Sequence, residues 1–121
     1  MAYHADLDTT LARYTEAWNT ADADERWALV HACATADVVY NDPHSEKPVE
    51  GQAALAAFMG FFREQVGWRF AFTGAPDGHH EWLRVPWALA NGDGTKATGL
   101  LVATLDRDVR FVTITHFVDA A

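Results

Sequence analysis

WRFAFTGAPDGHHEWLRVPWALANGDGTKATGLLVATLDRDVRFVTITHFV, residues Trp68 to Val118, alternates apolar and polar side chains with a period of two. Turn chemistry interrupts it at Ala75-Pro76-Asp77-Gly78, at Asn91-Gly92-Asp93-Gly94 and at Asp106-Arg107-Asp108. The pattern predicts four strands in an antiparallel meander over roughly 68–74, 79–90, 96–105 and 109–118, with Pro86 and Gly99 as bulge or edge positions. The strand from 79 carries Trp82 toward one face and Trp87 toward the other, so each side of the sheet holds a large aromatic.

Upstream the period is helical. Leu7, Leu11, Tyr14 and Trp18 fall at spacings of four, three and four, one apolar stripe of a first helix that Asn19 and Thr20 interrupt. A second helix starts at Asp22 or Asp24, with Trp27, Val30 and Ala34 along one side and an end near Thr35. Val38-Val39-Tyr40 is a short β-branched strand stopped by the turn at Asn41-Asp42-Pro43, and 44–50 is a polar loop. A third helix, 52–66, repeats Leu55, Phe58 or Met59, Phe62 and Val66, and Gly67 ends it. Helices first and an antiparallel sheet afterwards define an α+β domain with the helices on one sheet face. The other face must be wet or paired, and its Trp favours a homodimer formed through the sheets.

The 121 residues suffice for one core, so 1–121 is read as a single domain. A net charge of −8 with no basic stripe argues against nucleic acid and anionic membranes as partners. One cysteine, Cys33, cannot form an internal disulfide, and no signal segment or long apolar run is visible, which suits a cytoplasmic protein. Cys33 lies among alanines and reads as a small buried hydrophobe.

Taken together, ARYTEAWNTAD (12–22), VVYNDP (38–43), EGQAALAAFM (50–59), HHEWLRVPW (79–87) and GLLVATLDRD (99–108) resemble the nuclear transport factor 2-like superfamily, in particular its bacterial SnoaL-like branch. The resemblance spans about Leu7 to Asp119. It implies a cone-shaped barrel, a curved antiparallel sheet closed on one side by three N-terminal helices around a pocket. Ketosteroid isomerase, scytalone dehydratase, limonene epoxide hydrolase and polyketide cyclases share that superfamily with non-catalytic binding and assembly domains, so the fold implies a pocket without naming a reaction.

Asp42 shares a strand face with Val38 and Tyr40, and the resemblance turns that face into the pocket, where a carboxylate could act as a base. An Asp before Pro also commonly caps its own turn. Tyr14 matches the isomerase tyrosine that donates to a developing enolate oxygen, and equally suits core packing. The branch often has Gly-x-Asp where this chain has Gly99-Leu100-Leu101, so the second oxyanion donor is absent. Trp18, Tyr40, Phe58, Trp87, Leu101 and Phe117 are the expected pocket walls, suited to a small apolar or aromatic molecule.

Of the six histidines, His79 and His80 are adjacent and point to opposite strand faces, which argues against a metal site. His80 and His116 are expected on the outer face or at an interface, and His44 in solvent beside Asp42. The resulting expectation is a cofactor-independent isomerase, cyclase or dehydratase with Asp42 as base and Tyr14 as donor. A non-catalytic pocket protein or a subunit-interaction domain are the alternatives.

Overall fold

The computed structural model describes residues 2–120. Three helices, α1 (Ala2–Asn19), α2 (Ala23–Cys33) and α3 (Gln52–Gln65), pack on one face of a seven-stranded sheet. Its strands are β1 (Ala34–Asn41), β2 (Val49–Glu50), β3 (Arg69–Phe72), β4 (Asp77–His79), β5 (Trp82–Asn91), β6 (Gly94–Leu105) and β7 (Phe111–Val118), ordered β2-β1-β7-β6-β5-β3 with β4 on the same edge of β5 as β3. No helix among the described residues is long and apolar enough to cross a membrane.

The expected α+β architecture is present, with two corrections to the sheet. It is mixed, because β1 runs parallel to β7, and it is open, with β2 and β3 at its ends. A further turn at His80-Glu81 also divides the predicted second strand, so that β4 (Asp77–His79) folds back on the start of β5 and β3 and β4 pair with successive parts of β5. Pro86 sits at the break between them, where its carbonyl accepts from the Thr73 N–H.

Another correction concerns α2, which places Arg26, Val30 and Cys33 inward, while Trp27 is 45% exposed and Ala34 already belongs to β1. The reason lies at the end of α1. A helix leaves its last carbonyls without partners, and a buried end needs donors. Arg26 donates through Nε to the Ala17 carbonyl (3.0 Å) and through Nη2 to that of Thr20, and Arg63 of α3 donates to the Asn19 carbonyl (3.2 Å). Two arginines from neighbouring helices thus finish α1, whose own last turn has no basic residue. Asn19 in turn holds β3, donating to the Phe70 carbonyl and accepting from the Phe70 N–H, each at 2.8 Å.

Gly99 faces Trp87 across the β5–β6 ladder. A Cβ there would lie 1.9 Å from the Phe117 carbonyl oxygen and 2.4 Å from the Trp87 ring. The absence of a side chain lets that indole lie over β6 and form part of the inner wall. Gly99 is therefore a mid-sheet position of close approach.

Candidate functional site

Between the helices and the concave sheet face lies a cavity of about 310 Å³. Trp18 of α1, Tyr40 of β1, Phe58 and Phe62 of α3, Phe70 of β3 and Trp87 of β5 form its aromatic walls, and the exposed His44, Val66 and Val118 lie toward its mouth. Among the described residues, Asp42 is the one acidic side chain in its lining, and no Lys or Arg lines it. Among the described residues, no three His, Cys, Asp or Glu side chains gather to hold a metal ion.

Asp42 lies just beyond the end of β1, half-buried, one strand repeat from Tyr40. The Tyr40 hydroxyl donates to Asp42 Oδ2 at 2.7 Å, while Oδ1 accepts from the backbone N–H groups of His44 (2.7 Å) and Ser45 (2.8 Å). The carboxylate therefore caps its turn and lines the cavity at once. Burial pushes the Tyr40 phenol well above its ordinary pKa of 10, with further increases from Tyr14 and Asp42, so it stays a donor at neutral pH.

Tyr14 is fully buried beneath the cavity and is not part of its lining. Its ring meets Phe111 edge-on at 5.1 Å and stacks with Phe72 at 6.1 Å, and its hydroxyl is 2.7 Å from His116 Nε2. The contact expected between Tyr14 and a ligand is thus taken up by His116, which does line the cavity. Burial lowers the His116 pKa from 6.5 to about 3, the Asp42 charge opposing this, so the imidazole is neutral. Burial also raises the Tyr14 pKa well above 10.

Trp18, Tyr40, Phe58 and Trp87 lie in the wall where they were expected. Leu101 faces the same side but is fully buried and does not line the cavity. Phe117 is on the outer face, 56% exposed, and His116 has its place. A bulge explains the exchange. The ladder runs Leu105↔Phe111 but Thr104↔Thr113, so one extra residue in β7 flips every later side chain. Strict alternation from the buried Phe111 sends Phe117 inward, whereas the bulge sends Ile114 and His116 inward.

His116 is the cross-strand partner of Leu101, and His80 lies in the β4–β5 turn, not beside it. The polar group missing at position 101 is thus supplied from the next strand. Phe62 and Phe70 also enter the wall; Phe62 lay on the predicted helix stripe, while Phe70 depended on where β3 is anchored.

One solved structure settles the family. A candidate isomerase of the SnoaL-like family from Agrobacterium tumefaciens is 32% identical to the chain, covering 96% of it and 99% of that protein, with a TM-score of 0.84. The chain belongs to the SnoaL-like family. Two more distant structures share the fold: a candidate ketosteroid isomerase from Kribbella flavida (19% identity, 94% and 80% coverage, TM-score 0.66) and a candidate polyketide cyclase from Sinorhizobium meliloti (12%, 88% and 92%, 0.68). No family model and no curated protein matches the chain. Within the SnoaL-like fold, this member places the Asp42 carboxyl and the neutral His116 imidazole in an aromatic cavity, both next to Tyr40, whose hydroxyl donates to Asp42 and whose ring lies 5.7 Å from that of His116.

Proposed function

We propose that this SnoaL-like protein catalyses cofactor-independent proton transfer next to a carbonyl, on a small uncharged cyclic or aromatic substrate. The observation that carries the reading is the Asp42 carboxylate, held at the cavity wall by the Tyr40 hydroxyl and facing a space with no cation to pair with it. In the proposed step the C–H bond α to the carbonyl breaks and its proton passes to Asp42. The electron pair moves onto the carbonyl oxygen, and the enolate collapses as the same proton returns to a different carbon. The aromatic walls supply affinity for the ring and exclude water. A donor at the oxygen favours the enolate over the ketone, which is how such a site accelerates the reaction.

The test is turnover and binding across cyclic enones and aromatic ketones, in the wild type and in Asp42→Asn. Loss of turnover by about 10³-fold with binding retained within threefold supports the reading. Equal behaviour of the two proteins on every compound that binds would overturn it. That result would favour a non-catalytic binding domain, for which the His44 and Ser45 N–H groups on Asp42 Oδ1 already speak.

We further infer that the outer sheet face pairs with a second copy of the chain. Trp82 and Phe117 are 46% and 56% exposed there, and the neighbouring Leu100, Val102, Thr104 and Thr113 carry no charge. Light scattering should give twice the chain mass, and a monomeric mass removes this inference.

A further inference from the structure

The cavity's deep polar group has two tautomers, and they select opposite ligands. A neutral His116 with its proton on Nδ1 offers a donor to the cavity, whereas one protonated on Nε2 offers an acceptor. The surroundings of Tyr14 distinguish the two. Its hydroxyl is sealed from solvent and has one hydrogen-bond partner among the described residues, His116 Nε2 at 2.7 Å. The Trp18 indole N–H is also sealed and has no hydrogen-bond partner among the described residues, its ring meeting that of Tyr14 edge-on at 6.3 Å.

Were the proton on Nε2, it would point at the Tyr14 oxygen, whose own O–H would then be buried without an acceptor. With Nε2 bare, the phenol O–H donates to it and the sealed hydroxyl is satisfied. The ring lines the cavity, and its Nδ1 makes no hydrogen bond among the described residues.

We propose that the Tyr14 O–H donates to His116 Nε2, which fixes the proton on His116 Nδ1 and makes the site a receptor for a neutral carbonyl oxygen over the corresponding hydroxyl. Tyr14 is a positioning residue and His116 is the group that touches the ligand. The donor role in catalysis rests on the proton-transfer reading above; the tautomer and the carbonyl preference stand without it. During reaction the Nδ1–H stays on the imidazole and hydrogen-bonds the enolate oxygen, so no proton leaves His116.

The test uses histidine-labelled protein and a matched pair of probes, 1-tetralone and 1-tetralol, which differ only at the polar atom. Nitrogen NMR of the free protein at neutral pH is expected to show His116 Nδ1 protonated and Nε2 bare. Tetralone is expected to bind at least tenfold more tightly than tetralol, in Asp42→Asn as in the wild type. Tyr14→Phe should mix the tautomers and reduce the preference to under threefold. A proton on Nε2, an imidazolium, equal affinity for the two probes, or binding of neither would each overturn the proposal. Should Tyr14→Phe fail to fold, the wild-type spectrum and the probe pair decide it. Loss of the carbonyl preference with Asp42-dependent turnover intact would leave the proton-transfer reading standing, and the reverse pattern would leave the receptor standing.

Discussion

The two polar ends of the cavity differ in kind. At the rim, the Asp42 carboxyl sits half-buried on a turn and accepts from two backbone N–H groups and one phenol. At the floor, Tyr14 and His116 are packed among aromatic rings and both are uncharged. Desolvation keeps the polar groups at the floor neutral, whereas the rim surrounds its carboxyl with local donors and lies nearer solvent.

This contrast is most severely tested at the floor. The unfolded chain protonates this histidine near 6.5 and the folded one only near 3, so its contribution to stability is complete above 6.5 and is lost as pH falls toward 3. Denaturant unfolding from pH 7 to pH 3.5 should show the wild type losing about 3–4 kcal/mol more than His116→Leu. An identical pH dependence would mean that the floor tolerates charge.

The wall between the two ends depends on Gly99. Gly99→Ala must displace the Trp87 indole or β7, and should cost about 2–3 kcal/mol in urea unfolding with loss of tetralone binding. At the rim, Tyr40→Phe frees Asp42 Oδ2 and should reduce turnover by about tenfold, near 1.4 kcal/mol, with stability less affected than in Gly99→Ala. The smallest effect is expected at Phe117→Ser on the outer face, where ligand affinity should stay within twofold while the dimer weakens in light scattering. A loss of affinity there would show that the two sheet faces are coupled.

Much of this architecture could be read from spacing alone. The stripe Leu7, Leu11, Tyr14, Trp18 is buried in α1, and the stripe Leu55, Met59 is buried in α3, because helical period reports directly which side meets the core. Alternation put Asp42 on one face with Tyr40 and Trp87 on one face with Leu83 and Val85, and the family resemblance, not spacing, turned those faces to the pocket. His116 was hidden by a single extra residue in β7, which no local pattern announces. Arg26 was hidden because its inward turn answers to the carbonyls of another helix, and the parallel pairing of β1 with β7 is a contact between distant parts of the chain. The family resemblance carried the pocket, and physical contacts decide which groups face it.

That parallel pairing also bears on how the protein is made. Tyr14 meets His116 across 102 positions, Thr10 donates to the Val109 carbonyl across 99, and β1 finds its neighbour in β7. During synthesis the aromatic walls contributed by α1, β1 and α3 emerge long before the strand that completes them, and stay exposed until it arrives. Such distant closures slow folding and leave apolar surface open to association. The cavity is therefore closed only once β7 is made, and a ribosome stalled just before residue 111 would hold its aromatic walls with no floor beneath them.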